Sequence, residues 1–239
     1  DNGVGASHTC RISNEAELDQ FLNDRYPVTY IMEECIDGTI CSYDAIINSQ
    51  GEPLFESGNV TCTSIMDIVN DDLDSYYYIQ KNLPEDVRKA GRATVKSFGV
   101  KSRFVHLEFF RLNSDMPSMG KAGDVVALEV NMRPSGGFTP EMLNNANSTD
   151  VYKIWADMIA YDSTLYPQGE HFYCAFAGRR DGNNYLYDDG ALCQMYPEIC
   201  DCRRIPDALS GAMGNRMILA KFLDEDKLNA FYADAAKLN

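Results

Sequence analysis

Glu129, Asn131 and Arg133 alternate along the run Leu128-Glu129-Val130-Asn131-Met132-Arg133. In an extended strand such residues share one face, about 6.6–7 Å apart per step. The opposite face would carry Val126, Leu128 and Val130 as an apolar wall. Upstream, Val105-His106-Leu107-Glu108-Phe109 repeats the pattern, with His106 and Glu108 on one face and the apolar residues on the other. Two strands of one hairpin would then each present a carboxylate to one cleft. Two carboxylates and a carboxamide are oxygen donors, a set that suits Mg²⁺ together with substrate phosphate. Arg133 adds a planar fork for a phosphate or carboxylate. Taken alone, this pattern serves equally as a solvated strand face. The following Pro134-Ser135-Gly136-Gly137-Phe138 tips the balance, because adjacent glycines let backbone approach a ligand closely.

Arg103–Leu112 and Asp124–Asn131 are the strands that would carry these residues, joined by a long polar connection. The sequence predicts an amphipathic helix near 15–22 capped by Ser13 or Asn14, and a helix from Glu85 to Phe98 opened by Pro84 and closed by Gly99. Val28–Ile36, Ile40–Asn48 and Pro53–Val60 read as an antiparallel meander. Residues 67–83, acidic and then Tyr-rich, read as a surface loop or short helix, with Tyr76, Tyr77 and Tyr78 packed under it. Met132–Asn147 reads as irregular, and Asp150 to Tyr161 as a capped helix. Strands are predicted at 171–178 and roughly 191–205, and a closing helix near 223–237. A composition shift near 162–170 divides the chain into 1–162 and 163–239.

The chain has 239 residues, with Lys+Arg 21 against Asp+Glu 36, a net charge of −15. A field of that sign repels nucleic-acid backbones and anionic membranes, so neither is an expected partner. No apolar run is long enough to span a bilayer. The chain opens at Asp1 without a basic-then-apolar leader. Eight cysteines in a chain of this length fit a reduced, cytoplasmic protein better than a disulfide framework. Cys193, Cys200 and Cys202 lack a zinc spacing and a neighbouring His.

The block from Val105 to Phe110, followed by Leu128 to Gly137, resembles the metal-binding strands of ATP-grasp ligases: an acidic residue, then E-x-N-x-R on the next strand. Two further stretches match in order. Tyr30-Ile31-Met32-Glu33-Glu34-Cys35-Ile36 resembles the hinge that holds adenine. Asp1-Asn2-Gly3-Val4-Gly5-Ala6-Ser7 resembles the Gly-rich loop over the phosphates. The resemblance covers about residues 1–160 and implies an α+β fold: the C-terminal lobe of an ATP-grasp domain, with a largely antiparallel sheet and flanking helices. Residues 163–239 would add a small α+β subdomain, with the N-terminal lobe absent from this chain.

The same resemblance implies roles. Glu108, Glu129 and Asn131 would hold Mg²⁺ or Mn²⁺. Arg133 would stabilise the phosphoryl group. Glu33, Glu34 and the backbone of Ile36 would meet adenine. Gly3, Gly5, Ala6 and Ser7 would offer N–H groups to phosphate, and Gly136 and Gly137 would flank the acyl substrate. The implied activity is an ATP-dependent ligase that joins a small carboxylic acid to an amine, weak or inactive in this chain alone. The alternatives are a non-catalytic ATP- and Mg²⁺-binding module and a bicarbonate-activating carboxylase. Homo-oligomer formation stays open. The chain departs from the family pattern in three places: the N-terminal lobe with its lysine just before the Gly-rich loop is not in this sequence, the residues after Gly38 include no acidic partner for ribose, and Glu108 and Glu129 lie 21 positions apart. Of the remaining candidates, His8 reads as an exposed loop residue, His106 as packing or orienting a carboxylate, and Arg179-Arg180 as a charged turn.

Overall fold

A computed structural model of the chain describes residues 9–62, 68 and 71–239. In chain order its elements are α1 (Glu15–Asp24), β1 (Gly38–Ile47), β2 (Pro53–Ser57), β3 (Asn59–Thr61), β4 (Ser75–Ile79), α2 (Glu85–Ser97), β5 (Arg103–Leu112), β6 (Val125–Asn131), α3 (Thr139–Asn147), α4 (Val151–Tyr161), β7 (Tyr173–Arg179), α5 (Asp189–Met195), β8 (Ile199–Arg204), α6 (Asp207–Met213), β9 (Arg216–Phe222) and α7 (Glu225–Ala235). The strands form one sheet in the order β6-β5-β1-β3-β4-β7-β9-β8, with β2 also paired to β1. Every pairing is antiparallel. The fold is therefore α+β, and residues 163–239 extend the sheet through β7, β9 and β8.

Period-2 alternation along the strands sends side chains to two faces. One face carries Ile46, Phe104, Phe176, Met217 and Leu219, and α3 and α4 cover it with Met142, Leu143, Ile154 and Met158. The other face is covered in two parts. Alpha-2 packs Val87 and Val95 on Tyr43, Ala45, Val105 and Leu107. Helices α5 and α7 pack Leu192, Leu228 and Phe231 on Ala175, Ala177, Ile218 and Ala220. The contact of α2 with β1 is close because Gly91 has no side chain; a Cβ there would lie 2.2 Å from the Tyr43 ring.

Several local expectations hold. The Asn14 side chain caps α1 through the Glu17 N–H, and Asp150 caps α4 through Tyr152 and Lys153. Gly99 follows α2 with φ +60°, the left-handed closing residue.

Other expectations are corrected. Val28–Ile36 forms no strand; β-branched content favours a strand only where a neighbour offers a ladder, and none pairs here. Ser75–Ile79 is a sheet strand, not a loop, and its tyrosines pack on both faces, Tyr77 against Phe176 and Tyr76 against Tyr232. Met132–Asn147 contains α3, with Pro140 in its first turn, where a missing N–H costs nothing. The 191–205 run splits into the end of α5 and β8. Arg179 and Arg180 are buried, not a charged turn.

The wall expected from Val126, Leu128 and Val130 is also corrected. Glu108 pairs with Glu129, but Phe109 pairs with Ala127, so Leu128 is the extra residue of a bulge. Leu128 is 42% exposed. Past the bulge the alternation reverses, so Val125, with Val130 and Met132, packs towards α2.

Candidate active site

Three strands bring six polar residues onto one face of the sheet in two rows. Ser42 on β1 stands opposite Glu108 on β5, and Glu108 stands opposite Glu129 on β6. One step along, Asp44 stands opposite His106, and His106 opposite Asn131. Burial falls from the middle of the sheet to its edge: Asp44 is 0% exposed, His106 5%, and Glu129 is open to solvent.

A chain of hydrogen bonds runs along the buried side. The backbone N–H of Asn59 donates to Ser42 Oγ at 2.9 Å, and Ser42 Oγ donates to Asp44 Oδ2 at 2.5 Å. His106 contacts Asp44 Oδ1 through Nδ1 and Glu108 Oε1 through Nε2, each at 2.8 Å. Burial works against a charge on the ring, but the two carboxylates outweigh it and raise the His106 pKa to about 10. The ring is therefore an imidazolium that donates from both nitrogens.

Three carboxylates and one imidazolium leave this face with a negative excess. Among the described residues, no ion pair or hydrogen bond engages the Glu129 side chain. The Asn131 Nδ2 is buried with no partner. Such an orphaned amide beside two carboxylates fits a site that a further group completes. Among the described residues no group of three or more His, Cys, Asp or Glu side chains is placed to hold a metal ion. Glu108, Glu129 and Asn131 each carry side-chain oxygens on this face; Mg²⁺ in general is held by one or two carboxylates with phosphate and water.

The other predicted residues lie as follows. Arg133 is exposed just past the end of β6, and its Nη1 donates to the Pro134 carbonyl at 3.0 Å. Gly136 has open space where a Cβ would stand. Gly137 is left-handed at φ +61°, and a Cβ there would strike Met213 of α6 at 2.5 Å. Phe138 then stacks on Phe176, and the Arg203 guanidinium lies 5.0 Å from the Phe138 ring centre. The glycine loop is thereby held against the C-terminal part of the chain.

Glu33 and Glu34 are exposed and Ile36 is half-buried, all in the irregular chain before β1. Glu34 accepts the Ser118 hydroxyl on both oxygens, at 2.7 and 2.8 Å. Ser118 belongs to the long β5–β6 connection, which also reaches Asp37 through Asn113 and Ser114. Those two donors hold the Asp37 carboxyl below its usual range. Gly3, Gly5, Ala6, Ser7 and His8 lie outside the described residues.

Ser42 and Asp44 did not stand out in the sequence. Their signal was two polar residues, spaced by two, inside the otherwise apolar Ile40–Ile47. A cavity of about 480 Å³ opens between α2 and the β1–β2 turn. Tyr43 lines it from the opposite face, so it is separate from the carboxylates.

No protein-family model matches the chain, and no curated protein sequence does. Solved structures do. The N5-carboxyaminoimidazole synthetase of Staphylococcus aureus, solved with ADP, aligns with a TM-score of 0.67 at 10% identity, over 98% of this chain and 59% of its own. The phosphoribosylglycinamide synthetase of Anaerococcus prevotii aligns at 0.56 and 15% identity, over 92% and 59%. The L-amino acid ligase of Bacillus licheniformis aligns at 0.59 and 14%, over 84% and 53%. The fold is that of the ATP-grasp ligases. The chain spans a little over half the length of these ATP-grasp structures. Among its described residues no helix is long and apolar enough to cross a membrane.

Proposed function

We propose that this chain is the ATP- and Mg²⁺-binding part of a ligase that activates a small carboxylic acid as an acyl phosphate for attack by an amine, with release of ADP and phosphate. The observation that carries the reading is the Glu108–Glu129 pair across β5 and β6, with Asn131 two residues on, set on an ATP-grasp fold. Mg²⁺ would supply the neutralisation needed when two anions, phosphate and carboxylate, approach each other. Glu108, Glu129 and Asn131 would hold that ion. Arg133, freed from the Pro134 carbonyl, would turn its fork to the transferring phosphoryl group or the acid. Gly136 and Gly137 would let the acid lie against backbone. Gly3, Gly5, Ala6 and Ser7 would line the phosphates, and Glu33, Glu34 and Ile36 the adenine. Glu34 would keep its Ser118 bond and meet the base through backbone.

The test is the thermal stability of the chain with and without Mg²⁺-ATP, on the parent and on Glu129→Gln. A ligand at 100 times its Kd stabilises the native state by about 2.7 kcal/mol. The expected result is a Mg²⁺-dependent rise in the parent that Glu129→Gln removes. An ATP-induced rise indifferent to both Mg²⁺ and Glu129 would overturn the metal assignment, and no rise at all would count against a nucleotide site in this chain. Phosphate release that requires both a carboxylic acid and an amine then separates the ligase from a binding module.

A further inference from the structure

The hydrogen-bonded line through Ser42, Asp44 and His106 ends on a single oxygen of Glu108. His106 takes Oε1 at 2.8 Å, while among the described residues nothing bonds Oε2. The ring is itself fixed from behind. Asp44 is fully buried, holds Nδ1 at 2.8 Å, and is held in turn by Ser42, whose own oxygen is tied to the backbone of Asn59. Glu108 is thus the one member of the row whose carboxylate is clamped on one side and open on the other; its side chain is 27% exposed.

We propose that His106 is a positioning residue that presents one oxygen of Glu108 to the divalent cation and so selects a small, six-coordinate ion over Ca²⁺. The proposal rests on the metal reading above. Ca²⁺ takes six to eight oxygens and accepts a carboxylate through both at once, whereas Mg²⁺ and Mn²⁺ are satisfied by single oxygens, water and phosphate. To chelate Ca²⁺ with both oxygens, Glu108 would have to give up its hydrogen bond to a ring that Asp44 holds in place and that cannot follow it. Hydrogen-bond partners behind a ligand commonly change metal affinity 10–100-fold when removed.

The experiment measures binding of Mn²⁺ with ATP by electron paramagnetic resonance, with Ca²⁺ as competitor, alongside melting without metal. His106→Gln keeps a donor at the position of Nε2 and so the bond to Glu108, but loses the one to Asp44. His106→Asn keeps the donor at Nδ1 and loses the bond to Glu108. The expected result is a 10–100-fold loss of Mn²⁺ affinity and a weakened Mn²⁺-over-Ca²⁺ preference in His106→Asn, with His106→Gln near the parent. A purely structural ring would lower melting in both and leave the two alike in cation binding; that result overturns the proposal. If His106→Asn does not fold, the smaller His106→Ser takes its place: it withdraws the donor from Glu108. A weakened ion preference is then expected, and parental binding would overturn the idea. Glu129→Gln tells the two failures apart. Where it abolishes Mn²⁺ binding and the His106 variants stay parental, this inference alone falls. Where the parent binds no Mn²⁺, or Glu129→Gln changes nothing, the metal reading falls and takes this inference with it.

Discussion

Glu108 and Glu129 stand directly opposite each other across the β5–β6 ladder, and the ladder slips immediately beyond them at Leu128. Like charges placed opposite on one sheet face are destabilising, by roughly 0.2–1 kcal/mol. The pair is therefore a local cost to folding in the absence of a cation. Glu129→Gln is expected to stabilise the metal-free chain by about that amount while removing its response to Mg²⁺-ATP. Urea unfolding with and without Mg²⁺-ATP reads both effects; a destabilised variant would contradict the account.

The His106 imidazolium gives stability a pH dependence of known sign. Its pKa rises from 6.5 to about 10 on folding, through Asp44 and Glu108 and against burial. The folded state thus binds the proton more tightly. The contribution is complete below about 6.5 and declines as pH rises towards 10. Unfolded-chain thiols and phenols ionise at about 8.5 and about 10, so the observable is the difference between parent and His106→Gln. That difference should shrink steadily from pH 6 to pH 10 in urea titrations. A flat difference would mean the ring is neutral.

Gly91→Ala should destabilise the chain although alanine is the better helix former. The added Cβ would lie 2.2 Å from the buried Tyr43 ring. Overpacking of this kind costs about 1–3 kcal/mol, against a propensity gain of about 0.5–1 kcal/mol. Gly182→Ala, with nothing within 4 Å of its Cβ position, is the control and should be near neutral. Chemical denaturation of the two variants side by side makes the comparison.

Arg179 is fully buried, donating to Asp189 Oδ1 at 2.7 Å and to the Tyr187 carbonyl at 2.6 Å, with its guanidinium 3.6 Å from the Tyr185 ring centre. Removing one partner of a buried pair typically costs about 3–5 kcal/mol. Arg216 also holds Asp189, at 3.1 Å. Arg179→Ala is therefore expected at the lower end, about 3 kcal/mol. A loss below about 1 kcal/mol would show that Arg216 alone satisfies Asp189.

What the sequence made legible was local and periodic. Strand β5 was read to its ends, with a clean alternation over Val105–Phe109 at its centre, and the starts of α1 and α4 were read because Asn14 and Asp150 are good caps. Glu129 and Asn131 share a face because their spacing by two survives up to the bulge, and Glu108 stands opposite Glu129. What escaped depends on partners distant in the chain. Nothing in Leu128 announces that the ladder slips there. Asp44 looks anomalous in an apolar strand until His106, 62 positions later, is seen beside it. Strand β4 was hidden by its acidic approach at Asp71, Asp72 and Asp74, and α3 by its asparagines, which favour turns when packing does not decide. The tyrosines of β4 find their places only because β7 and α7 supply Phe176, Tyr173 and Tyr232.

Among the described residues β6 closes one end of the sheet, so one of its sides has no strand partner. Such a margin invites pairing with another chain, and proteins discourage this with charges and irregularities on the outer strand. The kink at Leu128 and the open carboxylate of Glu129 meet both requirements. The residues proposed to recruit a cation are therefore also the guard against self-association, and a substitution that makes this strand regular and apolar, such as Glu129→Val, would cost the protein its solubility along with its ligand.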